Sequence, residues 1–239
     1  MKAKVFAFLA AAVAIFASCS KTPALQLNST DVTLFSGDEF TVTSPNGSNL
    51  KFKSRDRFIA AVNETTGKIT AMTIGSTVVD VTSDQGTAQV NVTVKAKYHT
   101  FTEPCSDFTK TKADLIKMYG NPDSTTDSGI SYMYSSGAKV MDIYLFGTNG
   151  KLSSSCAMIN QDYLLETVKF LGERYIYAGQ IDGVYVFANG IDNITKGITM
   201  SKVSGYKLYQ IIYLPYDDSK ASAAEPVQLP FELPAEYAE

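Results

Sequence analysis

The chain has 239 residues, with 21 lysines and arginines against 24 aspartates and glutamates, and a formal net charge of −3 at pH 7. This mildly acidic balance, without a basic stripe, argues against a nucleic-acid partner. The length is sufficient for two ordinary domains.

The N-terminus has the pattern of a signal peptide. Lys2 and Lys4 precede an unbroken apolar run at residues 5–17, which is shorter than the roughly 20 residues that a membrane-spanning helix needs. The run ends in Phe16-Ala17-Ser18-Cys19, and polar residues follow. We therefore expect residues 1–18 to be cleaved off, which would leave 19 basic against 24 acidic residues.

The motif that ends at Cys19 resembles the lipobox of Gram-negative bacterial lipoproteins, with Phe16 where leucine is commoner. The resemblance implies that Cys19 carries a thioether-linked diacylglycerol and an acylated amino group, with residues 19–24 as a lipidated linker. Several acyl chains make such an anchor effectively permanent. Ser20 after the cysteine favours the outer membrane in that family. The alternative is ordinary secretion, with Cys19 merely close to the cleavage site.

Residues 25–97 alternate apolar and polar side chains in short segments separated by turn residues. This pattern predicts an all-β antiparallel sandwich, and no segment long enough for a helix has a 3.6-residue period. The predicted strands lie at 25–27, 32–34, 40–42, 50–52, 59–62, 69–71, 77–81 and 88–94.

The order of residues in this region resembles a bacterial Ig-like domain of group 2. The matching pieces are Val32-x-Leu34-x-x-Gly37, Phe52-x-Ser54-x-Asp56, Ile59-Ala60-x-Val62, Gly67-x-Ile69-Thr70-Ala71, Gly75-x-Thr77-x-Val79 and Val90-x-Val92-x-Val94. Phe52 stands where the family often has tryptophan. The resemblance implies a spacer or an adhesive module without catalytic residues, and we expect a spacer.

A change in composition marks a boundary near residues 95–97, because all 14 tyrosines lie from Tyr98 onward. Residues 98–216 then contain an internal repeat, in which matching glycines recur at offsets of 52, 54 and 55 residues. The glycine pairs are Gly120 with Gly172, Gly129 with Gly183, and Gly150 with Gly205.

Each copy is predicted to contain one helix and three strands. The strands are expected at 130–134, 140–146 and 152–159 in the first copy, and at 184–188, 197–202 and 206–214 in the second. The predicted fold class is thus an Ig-like sandwich followed by an α+β domain of two helix-plus-three-strand repeats. Its antiparallel sheet carries the helices on one face.

The two predicted helices have different sequence signals. In the first, Thr111 and Asp114 form a capping box, the apolar face holds Leu115, Met118 and Tyr119, and Gly120 ends the helix. In the second, the apolar stripe is predicted at Leu164, Leu165, Val168 and Leu171, and Gly172 ends the helix.

The segment Thr111-Lys112-Ala113-Asp114-Leu115-Ile116, followed by Gly120-Asn121-Pro122, resembles the β-lactamase-inhibitor-protein-like fold. That superfamily also includes small outer-membrane lipoproteins of the barrel-assembly machinery. The resemblance implies a protein that acts on another envelope protein, as an inhibitor or an assembly factor. The second copy lacks the proline after Gly172.

Catalytic and metal chemistry finds little support in the sequence. His99 is the only histidine and lies in the linker, where a solvated residue is expected. One histidine and two non-lipidated cysteines cannot close a tetrahedral zinc site. The acidic pairs Asp123/Asp127 and Asp217/Asp218 lie in polar loops without partner residues. We therefore predict a protein that is not an enzyme and holds no cofactor or metal.

Two features leave open alternatives. Cys105 and Cys156 could form a disulfide, or remain two buried thiols. Tyr132 and Tyr134 share a strand face, and Tyr185 with Phe187 occupies the matching positions in the second copy. This aromatic column would line an open binding face if the helices cover the other side, or belong to the core if they cover this one.

Residues 217–239 form an acidic tail with three prolines, for which extended or disordered chain is expected. Val227, Leu229, Phe231 and Leu233 alternate, so part of the tail could instead dock along the domain. Together these features predict a non-enzymatic cell-envelope lipoprotein. Its Ig-like domain would space a protein- or glycan-binding α+β domain from the membrane.

Overall fold

The computed structural model describes residues 24–216 and 233–238. The predicted signal peptide and Cys19 lie outside these residues, as do Val227, Leu229 and Phe231 of the tail. Within the described part, no helix is long and apolar enough to cross a membrane.

The N-terminal unit is a sandwich of two β-sheets. Its strands are β1 (Asp31–Phe35), β2 (Glu39–Thr41), β3 (Lys51–Ser54), β4 (Ala60–Val62), β5 (Lys68–Ala71), β6 (Gly75–Ser83) and β7 (Gly86–Lys95). One sheet has the order β1-β7-β6-β3 and the other β2-β5-β4, with β1 parallel to β7. Seven of the eight predicted strands are present; residues 25–27 form no ladder, although Leu25 packs into the core.

The inner faces of the two sheets enclose one apolar core, in which Phe52, Ile69, Val79 and Val92 are buried. Gly67 shows how closely the chain passes this core. Its φ of +68° favours glycine, and a Cβ there would lie 2.6 Å from the ring of Phe52. A glycine is therefore required next to the core aromatic ring.

The second unit is an eight-stranded antiparallel sheet with two helices. The helices are α1 (Lys112–Tyr119) and α2 (Leu164–Gly172), and the strands are β8 (Ser124–Thr125), β9 (Gly129–Met133), β10 (Lys139–Phe146), β11 (Leu152–Asn160), β12 (Ile176–Ile181), β13 (Val184–Ala188), β14 (Lys196–Lys202) and β15 (Leu208–Pro215). The order is β12-β13-β14-β15-β11-β10-β9-β8. Four strands follow each helix, rather than the expected three.

The additional strands, β8 and β12, have weak sequence signals. β8 has only two residues. In β12, the pairing register shifts between Tyr177 and Gly179, and Gly179 has a φ of +137°. This bulge breaks the alternation of side chains that predicts a strand.

Both helices pack on the same face of the sheet, which we call the helix face. Leu115 of α1 lies in a core cluster with Tyr132 and Tyr144, and Phe170 of α2 lies in another with Phe187 and Tyr213. The predicted capping box is present, since Thr111 and Asp114 each accept a hydrogen bond from the other's backbone N–H.

The predicted apolar stripe of α2 is partly wrong. Leu165 and Val168 are 67% and 41% exposed, and the buried residues are Thr167, Phe170 and Leu171. The helix is rotated because Phe170 packs against Phe101, with ring centroids 4.4 Å apart. In α1, the predicted core residue Met118 is likewise 53% exposed.

Phe101 belongs to a segment at 97–111 that crosses the helix face between the two helices. Thr100 donates a hydrogen bond to the Glu166 carbonyl, and the Cys105 N–H donates to the Tyr144 hydroxyl. Further on, the Leu152 N–H donates to the carbonyl of Lys110 at 2.7 Å. The connection between the two units is thus part of the second unit's core.

The opposite face of the sheet has its own apolar cluster, which includes Ile143, Cys156 and Ile212. Leu233 and Tyr237 of the C-terminal segment pack against it, and the Tyr237 carbonyl accepts a hydrogen bond from the Lys207 N–H. Residues 233–238 of the predicted tail therefore dock on the domain.

Candidate functional site

The predicted aromatic column does not form one exposed face. Tyr132 is 8% and Phe187 4% exposed, and the Tyr132 hydroxyl donates to the carbonyl of Gly120 at 3.0 Å. Tyr134, which directly follows β9, is 38% exposed, and Tyr185 of β13 is 36% exposed; β9 and β13 are far apart in the sheet order. Because the helices cover this face, the column is divided between the core and two separate edges.

Tyr134 belongs to a buried polar cluster on the helix face. Its hydroxyl and the Lys139 Nζ both donate to Asp142 Oδ2, at 2.7 and 2.6 Å, and Lys139 also donates to the Thr102 carbonyl. Burial raises the pKa of Asp142, although Lys139 acts in the opposite direction. The cluster joins the 97–111 segment to β10, which is a structural role.

Cys105 and Cys156 are both free thiols. Cys105 contacts the α1 cluster on the helix face, whereas Cys156 lies in the cluster on the opposite face. The expected alternative of a disulfide is therefore wrong, because the sheet itself separates the two sulfur atoms.

The other predicted candidates stay apart from one another. His99 is exposed, and the Asp123 carboxylate accepts a hydrogen bond from the Met133 N–H at 2.7 Å. Asp217 and Asp218 lie outside the described residues. In the described part of the chain, no three histidine, cysteine, aspartate or glutamate residues are grouped as a metal site would require.

A cleft of about 550 Å³ lies between the sandwich and the loop that joins β13 to β14. The sandwich contributes residues from β3, β4 and their connection, and the second unit contributes residues 189–193. Its volume falls within the range of roughly 300–1,000 Å³ that is typical of ligand pockets. We call this space the interdomain cleft.

Both walls of the interdomain cleft are held by local hydrogen bonds. On the sandwich side, Asp56 Oδ1 accepts from the Phe58 N–H at 2.9 Å. On the other side, Asn189 Oδ1 accepts from the N–H groups of Thr195 and Lys196. A Cβ at Gly190 would lie 2.9 Å from the Asn193 carbonyl oxygen, so the loop is tightly closed. The cleft is therefore preformed.

The cleft also contains polar groups that the fold leaves available. Among the described residues, the side chains of Glu64 and Asn193 make no hydrogen bond or ion pair, and Lys53 has only an electrostatic interaction with Asp80. Arg57 and Asp192 face each other from the two units at 3.6 Å. Such groups can hydrogen-bond a bound molecule without breaking the fold.

The two units are held together by Glu173, which is only 3% exposed. Its carboxylate accepts from the N–H groups of Lys97 and Tyr98, and from Arg174 Nη1 at 2.6 Å. Its carbonyl accepts from the N–H of Ile74 in the sandwich at 2.8 Å. These bonds fix the relative position of the cleft walls.

No protein-family model and no curated protein sequence matches this chain. Among solved structures, it is similar to domains 4–9 of the surface layer protein SbsC, with 13% identity over 83% of this chain and a TM-score of 0.26. It is also similar to SbsC domains 5–6, with 15% identity, 83% coverage of this chain, 86% of that one, and a TM-score of 0.26. The chain spans 27% of the first of these structures. Such TM-scores are too low to show a shared fold.

Sequence reasoning missed the interdomain cleft entirely. Its residues lie in two regions separated by more than 120 positions, β3 and β4 with their connection at residues 52–64 and the loop at residues 189–193. Each has an ordinary turn composition. Contacts between residues far apart in sequence bring these regions together, among them the bonds of Glu173 and the ion pair of Arg57 with Asp192.

Proposed function

We propose that this protein is a non-enzymatic, lipid-anchored protein of the cell envelope that binds a ligand in the interdomain cleft. The anchor would be Cys19, in the outer membrane, with the sandwich as an Ig-like spacer of group 2. The ligand is a protein or a glycan. The observation that carries the proposal is the preformed cleft, in which the side chains of Glu64 and Asn193 make no hydrogen bond or ion pair within the described chain.

A binding role suits the chemistry of these groups better than catalysis. Arg55 is held by two hydrogen bonds to Asp80, and Asp56 caps its own loop. A general acid and base acting on one substrate would need a pair of groups aimed at a common point.

We further propose that the second unit is a duplication of one α-plus-β repeat. The order of its strands supports this proposal, because β11 and β15 pair at the centre and the preceding strands extend outward on either side. Each helix ends near a glycine of the repeat, since Gly120 is the C-cap of α1 and Gly172 is the last residue of α2.

Two comparisons test the proposed function. The full chain is compared with Cys19→Ala in a membrane fractionation and acyl-labelling experiment, and we expect Cys19→Ala to lose the label and leave the membrane. If Cys19→Ala kept both the acyl label and its membrane association, the proposed lipid anchor at Cys19 would be wrong.

The second comparison is capture of envelope components by immobilised protein. We expect the double variant Arg57→Ala/Asn193→Ala to lose a ligand that the native chain retains. The matched control is Lys117→Ala/Asn121→Ala, two exposed positions at the end of α1. Equal capture by the cleft variant and the control would contradict the proposal.

A further inference from the structure

We infer that the ligand of the interdomain cleft is a neutral oligosaccharide, an inference that rests on the proposed function. Three properties of the cleft lead to it: its charge balance, the kind of hydrogen-bonding groups it exposes, and the way one edge strand is closed to a peptide.

The cleft carries no excess of positive charge. Three basic and three acidic side chains line it, namely Lys53, Arg55, Arg57, Asp56, Glu64 and Asp192. Arg55 is neutralised by Asp80 at 2.7 Å, and Arg57 faces Asp192. A strongly anionic ligand would have to displace these carboxylates or bind beside Glu64, and a cationic one would meet the guanidinium groups. Because Asp80 lies outside the lining and takes up the charge of Arg55, two basic and three acidic side chains remain. The cleft therefore has no excess of positive charge to select an anionic ligand.

The available groups both donate and accept hydrogen bonds. Asn193 has an amide that does both, Glu64 accepts, and Lys53 and Arg57 donate. Neighbouring hydroxyls of a sugar also donate and accept, so planar amide, carboxylate and guanidinium groups can each bind two of them. This mixture matches a polyol.

Apolar surface is also present in the cleft. Phe58 is half-buried beside the polar groups, and Ile191 is 42% exposed on the opposite wall. An aromatic or aliphatic wall next to hydrogen-bonding groups suits a pyranose ring, which has an apolar C–H face and a polar rim. The volume of about 550 Å³ exceeds that of one ring, so we expect two or three sugar units.

A peptide fits the cleft less well. The most direct mode of peptide binding is addition of a strand to a sheet edge. β3 is such an edge, but the N–H of Phe52 already donates to the Glu64 carbonyl at 3.1 Å. This donor on the outer edge of β3 is therefore unavailable to an incoming strand.

The test uses the full chain with Cys19→Ser, to avoid the lipid, in isothermal titration calorimetry. The probes are neutral trisaccharides with glucose, xylose, mannose or N-acetylglucosamine units, together with trigalacturonic acid as an anionic probe. We expect at least one neutral probe to bind, with trigalacturonic acid weaker. Asn193→Ala and Arg57→Ala should each weaken binding at least tenfold, and Lys117→Ala/Asn121→Ala should leave it unchanged.

Thermal unfolding of each variant separates loss of binding from loss of fold, because both cleft residues are exposed and should not change the melting temperature. The inference is overturned if no neutral probe binds, if the anionic probe binds more tightly, or if binding survives both cleft variants. If the cleft variants lose a captured protein in the pull-down while no neutral sugar binds, the proposed function stands and only the oligosaccharide inference fails.

Discussion

The carboxylate of Glu173 accepts a hydrogen bond from the N–H of Tyr98 at 3.0 Å, across 75 residues of sequence. It accepts a second from Lys97 at 2.8 Å and pairs with Arg174. Arg174 in turn donates to the carbonyl of Tyr98 at 3.2 Å. Two adjacent residues at the end of α2 therefore bind both backbone polar groups of Tyr98, where the chain leaves the sandwich.

Removing this carboxylate should loosen the connection between the two units. Glu173→Ala leaves the N–H groups of Lys97 and Tyr98 without this acceptor, whereas Arg174 keeps its bonds to the carbonyls of Phe170 and Tyr98. We expect a loss of about 2–3 kcal/mol in the free energy of unfolding. Urea denaturation measures the loss. Limited trypsin digestion should show faster cleavage after Lys97, because its backbone is no longer held.

Glu166→Ala is the matched control, since Glu166 is an exposed residue of the same helix. We expect Glu166→Ala to change the free energy of unfolding by less than about 0.5 kcal/mol. The rate of cleavage after Lys97 should stay the same. Glu173→Gln keeps one acceptor oxygen and should fall between the two. Native-like protease resistance of Glu173→Ala would show that other contacts hold the units together.

The buried pair of Lys139 and Asp142 predicts a pH-dependent effect. Their side chains are only 10% and 3% exposed, so Lys139→Met leaves Asp142 as a buried, unpaired carboxylate. We expect the free energy of unfolding, measured by urea denaturation at pH 7, to fall by about 3–5 kcal/mol. Lys151→Met, at an exposed lysine, is the control.

The direction of the pH effect follows from the pKa of Asp142. Burial raises this pKa above its value in the unfolded chain, which is about 3.9, and loss of Lys139 removes an opposing influence. A raised carboxyl pKa stabilises the fold below the unfolded pKa, and that contribution disappears as the pH rises through the folded pKa. The penalty of Lys139→Met should therefore be smaller at pH 4 than at pH 7. An equal loss of unfolding free energy at pH 4 and pH 7 would mean that Asp142 is protonated at both pH values, or that water hydrates it in the variant.

The two cysteines should differ in reactivity. Cys156 is 4% exposed, and burial raises the pKa of its thiol, so we expect it to resist alkylation in the native Cys19→Ser protein. In urea without reductant, mass spectrometry should show alkylation of both Cys105 and Cys156. Reduction of the protein before alkylation should leave the labelling of both cysteines unchanged. Unfolded protein that takes up label only after reduction would demonstrate a disulfide, and the separation of the thiols by the sheet would be wrong.

Local patterns were sufficient to predict most strands and the start of α1. The alternation in β10 and β11 gave bounds within one residue, and the spacing of Thr111 and Asp114 identified a capping box that is present. These features depend on side chains that are close in sequence. Gly179 shows the limit, because its bulge interrupts the pattern of β12.

Features that depend on distant contacts could not be predicted. The rotation of α2 follows from the packing of Phe101 on Phe170, and residue 101 lies in a segment that looks like a linker. The position of Cys105 relative to Cys156 depends on the same segment. The interdomain cleft needs the bonds of Glu173, whose neighbours in sequence give no sign of a buried acid.

The divided aromatic column gives a prediction that separates folding from binding. Tyr132 lies within 6.0 Å of the rings of Tyr119 and Tyr144, so Tyr132→Ala should cost about 3–5 kcal/mol, the range for removal of a buried aromatic ring. Tyr132→Phe loses only the hydrogen bond to Gly120, and we expect about 1 kcal/mol. Tyr185→Ala removes a partly exposed ring, and we expect it to lower the free energy of unfolding by about 1 kcal/mol or less. Thermal and urea unfolding of the three variants measure these differences. If Tyr132→Ala were as stable as Tyr185→Ala, the helices would not cover this face, and an open aromatic surface would again be a candidate binding site.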